Sequence, residues 1–130
     1  LYTTLSKDGI HCIVLAEHKR LEDKHYLPSA SLSDRLRAGI ISCCDLMVSG
    51  DTVDAQLAIA CRLAAIVLFG PTPHQELSIF GRGSKIISDR NCCPCLKDNC
   101  LYPNDDCMNK INIMGLVKVI KKFVNPTVAE

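Results

Sequence analysis

The chain has 130 residues, of which 48% are hydrophobic, and its 15 basic and 14 acidic residues give a formal net charge of +1. This length fits one domain with a hydrophobic core. The even charge argues against nucleic acid as the main partner, because binding a phosphate backbone needs a basic surplus on one face. No apolar run of the sequence reaches the roughly 18 residues of a transmembrane segment, and no signal peptide is visible.

Residues 1–16 predict the end of a helix followed by a strand. Gly9 is a favourable residue for ending a helix, because glycine readily adopts the left-handed conformation. The run 10–16 is apolar apart from His11 and has strand length, which is typical of a parallel strand buried on both faces. Since the chain opens with Leu1 inside a helix-like segment, we expect it to be a piece of a longer protein.

Residues 17–44 predict a polar loop and then a helix. The loop, 17–29, begins with the charged cluster Glu-His-Lys-Arg at 17–20. We interpret this cluster as a solvated surface, and a nucleotide contact is the less favoured alternative. Ser31 is predicted to be the N-cap of a helix that reaches about Cys44.

Residues 45–72 contain a strand, a tight turn, a helix, a second strand and a Phe-Gly-Pro-Thr loop. The strands are predicted at 45–48 and 64–69, and Asp51 is predicted to cap the helix 52–63 between them. This order places a helix N-terminus and two strand ends on one rim. Free backbone N–H groups and the helix dipole favour a phosphate there.

Residues 73–130 predict one more strand at 85–88, a Cys-rich loop over 89–110, and a last helix that Asn112 caps and that reaches Phe123. Strands that alternate with helices favour an α/β fold. With right-handed crossovers, the sequence predicts a Rossmann-like, doubly wound parallel sheet that forms a single domain.

The nine cysteines are an odd number, and four of them lie in strand or helix patterns, which favours a reducing compartment. Four thiols lie close together in sequence: Cys92, Cys95, Cys100 and Cys107. Four thiolates can bind a structural zinc ion in tetrahedral geometry and order a long loop. Free or disulfide-linked cysteines are an equally favoured alternative, and an iron–sulfur cluster is a less favoured one.

Several short motifs lie along residues 31–123. They are Asp51-Thr52, Leu57-Ala58, Phe69 to Thr72, Cys92 with Pro94 and Cys95, Cys100, and Cys107 with Met108. In this order and spacing the stretch resembles the C-terminal half of the heptosyltransferase-type enzymes, glycosyltransferase family 9.

The resemblance implies the C-terminal half of a GT-B glycosyltransferase with two Rossmann-like halves. This half would bind a nucleotide-sugar donor, usually an ADP-sugar, through Asp51, Thr52, Gly70, Pro71 and Thr72. The acceptor half with the catalytic base, and the first strand of the donor half, would lie outside this chain. No catalytic residue and no catalytic cofactor are therefore expected here. The intact enzyme would move a sugar of the heptose type onto a lipopolysaccharide-like acceptor in the bacterial cytoplasm, soluble or peripheral to the inner membrane.

Several positions depart from the family pattern, including Arg62, Leu63 and Ala64 in place of a Gly-Lys-Pro and the stretch 17–20 in place of a glycine-rich turn. Val53 stands where the family has glycine, and Asp54 and Gln56 stand where it has proline and histidine. Val53 adds bulk beside the expected diphosphate, and Asp54 adds a charge that repels phosphate. These departures favour the alternative of a non-catalytic relative that acts as a binding or scaffold module. A third hypothesis is a metal-dependent redox or interaction module built on the Cys-rich loop.

Overall fold

A computed structural model of the chain describes residues 1–16, 26–28 and 31–125. In chain order, these residues form α1 (Tyr2–Lys7), β1 (Val14–Ala16), β2 (Tyr26–Pro28), α2 (Asp34–Ser42), β3 (Leu46–Gly50), α3 (Val53–Ala60), β4 (Ala64–Phe69), β5 (Gly83–Ile87) and α4 (Ile113–Val124). A single turn of 3₁₀ helix, Met108–Lys110, precedes α4.

All strand pairs in the described residues are parallel. The strands β3, β4 and β5 form a three-stranded sheet in that order, and β1 pairs with β2 in a separate two-stranded sheet. In the larger sheet, Gly50 lies opposite Leu68, and Phe69 lies opposite Ile87. The prediction of an α/β fold is confirmed, and the parallel arrangement is consistent with a Rossmann-like sheet.

Helices cover both faces of the larger sheet. On one face, Val67 and Phe69 of β4 pack with Ile41 of α2 and with Ala55 and Ala58 of α3. Successive side chains of a strand point to opposite faces. The alternate residues of β4 therefore pack on the other face, where Ile66 joins a core of Leu5, Leu116, Val117 and Ile120 from α1 and α4.

The predicted loop 17–29 was wrong for Tyr26–Pro28, which form β2. This strand has only three residues and no alternating pattern, so the sequence carried little signal for it. Among the described residues, it pairs with Val14–Ala16, which explains why the strand predicted at 10–16 begins only at Val14. The cluster at 17–20 lies outside the described residues.

Two predicted helix caps had different outcomes. Asn112 is the N-cap of α4, and its side-chain oxygen accepts a hydrogen bond from Gly115 N at 3.0 Å, as predicted. The cap of α2 is Ser33, whose hydroxyl accepts from Leu36 N, so the prediction of Ser31 was wrong. The Ser31 hydroxyl instead donates to the carbonyl of Pro28 at 2.9 Å.

The strand predicted at 64–69 is confirmed as β4, and the strand predicted at 85–88 begins two residues earlier, at Gly83. Gly83 pairs with Ala65, and a Cβ on Gly83 would lie 1.9 Å from the Ala65 carbonyl oxygen. Because only glycine fits so close to the neighbouring backbone, Gly83 allows β5 to pair with β4 from its first residue.

Candidate functional site

The carboxyl ends of β3, β4 and β5 lie side by side, since the three strands are parallel and paired. The turn after β3 carries Asp51 and Thr52, and the loop after β4 carries Gly70, Pro71 and Thr72. The structure therefore brings the predicted donor-site residues to one edge of the sheet. In open α/β sheets this edge is where ligands bind.

The helix α3 begins at Val53, and its N-cap is Thr52 in an extended conformation. The prediction that Asp51 caps this helix was therefore wrong. Thr52 does not cap it through its side chain either, because its hydroxyl shares a 2.8 Å hydrogen bond with the Ser49 hydroxyl. Within the part of the chain that the structure describes, α3 has no side-chain cap. The N–H groups of its first turn are left for water or for a ligand.

Val53 and Asp54, which depart from the family pattern at the start of α3, have different surroundings. The side chain of Val53 is half exposed, with 49% of its surface accessible. Asp54 is largely buried and accepts a hydrogen bond from Arg37 of α2 at 3.0 Å. Arg37 also forms an ion pair with Asp34, one turn earlier on α2.

Arg37 offsets part of the charge of Asp54, because the same guanidinium also pairs with the exposed Asp34. The side chains of Arg37 and Asp54 are only 19% and 16% exposed, so solvent screens this ion pair less than it would a surface pair. The carboxylate was expected to repel a phosphate at the start of α3. The structure shows that this charge has a cationic partner, which sequence reasoning missed because the two residues are 17 positions apart.

The loop after β4 is anchored at its base by aromatic contacts. Phe69 is 1% exposed, and its ring meets the His74 ring edge-on at a centroid distance of 6.3 Å. The ammonium group of Lys85 lies 5.9 Å from the Phe69 centroid and donates a hydrogen bond to the His74 carbonyl. These contacts hold the backbone of residues 69–74 in place at the end of β4.

Gly70 is in close contact with the Cys-rich loop. A Cβ on Gly70 would lie 2.4 Å from the Cys107 sulfur and 3.1 Å from the Met108 sulfur. The loop is tied down a second time where Leu96 N donates to the Pro71 carbonyl at 2.9 Å. The space beside Gly70 is therefore filled by this protein's own side chains, and a ligand would meet Gly70 through its backbone.

The four thiols predicted to bind zinc lie in different environments. Cys107 is buried, Cys95 is half-buried, and Cys92 and Cys100 are exposed; each of the nine cysteines is a free thiol. Across residues 1–16, 26–28 and 31–125, no group of three or more His, Cys, Asp or Glu side chains is arranged to hold a metal ion. The geometry does not fit the predicted zinc ion, and zinc at these residues stays a prediction.

Cys93, the fifth thiol of the Cys-rich loop, interacts with Cys107 and with Cys92. Burial raises the pKa of the Cys93 thiol to about 11, and its hydrogen bond with Cys107 adds to the rise. The two thiols join the start and the end of the Cys-rich loop. Sequence reasoning treated Cys93 as a spare thiol, because the pairing depends on how the whole loop folds.

A polar cluster orders the middle of the same loop. The Arg90 guanidinium lies 4.5 Å from the centroid of the Tyr102 ring and pairs with Asp105 at 2.9 Å. Asp105 also pairs with Lys110 at 2.8 Å. Hydrogen bonds from Lys110 and Arg90 lower the pKa of the Asp105 carboxyl. Arg90, Asn91, Cys92 and Tyr102 line a cleft of about 310 Å³.

The family model of glycosyltransferase family 9 (heptosyltransferase) matches residues 15–105. The chain belongs to glycosyltransferase family 9. The matched range begins in β1 and ends within the Cys-rich loop, so it includes both the turn after β3 and the loop after β4. The resemblance identified from the sequence motifs is confirmed.

Among curated proteins, the chain is similar to lipooligosaccharide heptosyltransferase 2 of Campylobacter jejuni subsp. jejuni serotype O:6. The two are 25% identical over 88 residues, which cover 66% of this chain and 28% of that relative. The chain thus matches less than a third of the length of this relative. No solved structure gave a significant match. No helix in the described residues is long and apolar enough to cross a membrane.

Proposed function

We propose that this chain is the donor-nucleotide-binding domain of a GT-B glycosyltransferase that moves a sugar of the heptose type from a nucleotide-sugar to a lipopolysaccharide-like acceptor. The observation that carries the proposal is that two features lie next to each other on one sheet edge. The first turn of α3 has no side-chain cap among the described residues, and the Gly70–Thr72 loop follows the neighbouring strand. Membership in family 9 supports the same function.

The donor diphosphate would bind across the first turn of α3. Backbone N–H groups at a helix N-terminus, together with the helix dipole, stabilise an anion. Thr72 would donate a hydrogen bond from its hydroxyl, while Gly70 and Pro71 would contribute backbone atoms. Asp51 and Thr52 would contact the sugar side of the donor, since a carboxylate accepts hydrogen bonds from hydroxyl groups.

The transferase reaction releases a nucleoside diphosphate, on which negative charge develops in the transition state. A fixed helix N-terminus stabilises that charge without reorganising, which is the usual form of electrostatic catalysis. The remaining contribution of this domain would be to orient the donor. The catalytic base would come from an acceptor domain outside this chain, so we expect no sugar transfer by this chain alone.

The ion pair between Arg37 and Asp54 supports a functional donor site. A lone carboxylate in the first turn of α3 would oppose phosphate binding, but Arg37 offsets part of its charge at 3.0 Å. Val53, although bulkier than glycine, is half exposed. The departures at Val53 and Asp54 are therefore compatible with a bound diphosphate.

Calorimetric titration of ADP into the reduced chain, with UDP and GDP as comparisons, tests the proposal. We expect saturable binding that is tightest for ADP. Val53→Asp should weaken it by about tenfold or more, because it places a second charge beside the diphosphate. In the control variant Val53→Asn, the side chain has nearly the same shape as aspartate but carries no charge. This variant should bind ADP much as the wild type does. Equal affinities of the two variants, or no nucleotide binding at all, would overturn the proposed site.

A further inference from the structure

A cleft opens at the carboxyl end of β5, next to the candidate donor site. It has a volume of about 310 Å³, and its lining residues are Arg90, Asn91, Cys92 and Tyr102. Because β5 pairs with β4 in parallel, the cleft shares the sheet edge with the loop after β4. The hydrogen bond from Leu96 N to the Pro71 carbonyl fixes the Cys-rich loop against that same loop.

We propose that this cleft binds a saccharide unit of the acceptor. The inference rests on the proposed function, since an acceptor sugar next to the donor site has meaning only for a sugar transferase. It goes beyond that function by giving the donor-binding domain its own part in acceptor recognition. The sequence motifs included Cys92 but not Arg90, Asn91 or Tyr102, because Arg90 and Tyr102 lie twelve positions apart in an irregular loop.

The lining of the cleft matches the two sides of a sugar ring. Tyr102 presents an aromatic ring that is 52% exposed, against which the C–H face of a pyranose can pack. Asn91 offers an amide donor and acceptor, and Arg90 offers the N–H groups that its ion pair leaves over. One apolar platform beside several polar groups suits a molecule with one apolar face and a rim of hydroxyls.

The cleft is held in its shape before any ligand arrives. Arg90 covers the Tyr102 ring at 4.5 Å and is itself fixed by Asp105 at 2.9 Å, which Lys110 supports at 2.8 Å. A preorganised site loses less conformational freedom when it binds.

A nucleobase is the competing occupant of this cleft, because a base can also stack on an aromatic ring. The amide of Asn91 and the guanidinium of Arg90 stand beside Tyr102 and can bind the several hydroxyls of a sugar, so we favour a saccharide. Adenosine serves as the competing ligand in the test.

The test is an NMR titration of the full chain that follows the Asn91 side-chain amide. The probes are core oligosaccharide released from bacterial lipopolysaccharide, D-mannose and adenosine. We expect saturable shifts with a saccharide, weakened about fivefold to tenfold in Tyr102→Ala and retained in Tyr102→Phe, which keeps the ring. Equal affinity in Tyr102→Ala, no saccharide binding, or shifts with adenosine alone would overturn the proposal.

A parallel ADP titration separates this proposal from the proposed function. Tyr102→Ala should bind ADP as the wild type does, because the residue lies outside the candidate donor site. Saccharide binding without ADP binding would leave the cleft as a sugar site and reject the donor site. ADP binding without saccharide binding would support the donor site and reject the cleft as a sugar site. Retained dispersion of the amide spectrum shows that each variant is folded.

Discussion

The Cys107 sulfur occupies the space that a side chain at Gly70 would need. A Cβ on Gly70 would lie 2.4 Å from that sulfur. Cys107 is 8% exposed and cannot move away into solvent without leaving its buried position. The glycine of the Phe-Gly-Pro-Thr loop thus serves the packing of the Cys-rich loop. The two family motifs, distant in sequence, depend on each other through this contact.

Replacing Gly70 with alanine should therefore destabilise the protein. The added methyl group overpacks a closed contact, and such changes cost about 1–3 kcal/mol of unfolding free energy. In a Cys107→Ala background the sulfur is gone, so the same substitution should cost clearly less. Urea denaturation of the four proteins gives this coupling as a double-mutant cycle.

Gly39→Ala is the matched control for that experiment. Nothing lies within 4 Å of a Cβ at Gly39, which is inside α2, so alanine there should be neutral or stabilising. If Gly70→Ala costs the same with and without the Cys107 sulfur, the contact does not explain why glycine is needed.

The Arg37–Asp54 ion pair should matter for nucleotide affinity. Arg37→Met leaves the Asp54 carboxylate without its partner at the start of α3, so ADP should bind about threefold to tenfold more weakly. Adding Asp54→Asn to this variant removes the charge and should restore the affinity. Calorimetric titration measures both effects.

Arg35→Met is the control for this prediction, because it removes the same charge from an exposed position of the same helix. It should change ADP affinity much less than Arg37→Met. Equal losses in the two arginine variants would show that overall charge, and not the pairing with Asp54, sets the affinity.

Local signals predicted the elements that depend on local sequence. The apolar run 64–69 lies between a helix and a Gly-Pro loop, and the structure confirms it as β4. Asn112 likewise capped α4 as its side-chain chemistry predicts. The three residues of β2 were missed, because so short a strand is defined by its partner.

The sheet edge could be predicted, but its internal contacts could not. The turns that follow neighbouring parallel strands lie at the same sheet edge. The sequence therefore predicted that the turn after β3 lies next to the loop after β4, and the structure shows the two strands parallel and paired. The contact of Gly70 with Cys107, the ion pair of Arg37 with Asp54 and the stack of Arg90 on Tyr102 join residues far apart in sequence. No periodicity or spacing encodes such contacts.

Metal removal tests the zinc prediction directly. A zinc ion bound by the four thiols would stabilise the folded chain, so a chelator would lower its melting temperature. In the described arrangement Cys107 is buried beside Gly70 and no group of three ligands is found among the described residues, so zinc binding would require the Cys-rich loop to rearrange. One zinc per molecule, lost on adding EDTA together with stability, would support the zinc prediction, and an unchanged melting temperature would reject it.

Thiol reactivity tests the contact between Cys93 and Cys107. The pKa of Cys93 is raised to about 11, so at pH 8 the fraction of reactive thiolate is on the order of one thousandth. Iodoacetamide should therefore label Cys93 much more slowly than the exposed Cys100. Its rate should keep rising about tenfold per pH unit up to about pH 10, because the thiolate fraction grows by that factor below the pKa.

Mass spectrometry of labelled peptides separates the adjacent cysteines, and Cys107→Ala identifies the cause. Removing Cys107 takes away a hydrogen bond that raises the pKa of Cys93, so labelling at pH 8 should become faster. Cys61→Ala is the control, because that thiol donates to the Ala38 carbonyl, away from the Cys-rich loop, and its loss should leave Cys93 labelling unchanged. Rapid labelling of Cys93 in the wild type at pH 8 would mean that burial and the neighbouring Cys107 thiol do not raise its pKa.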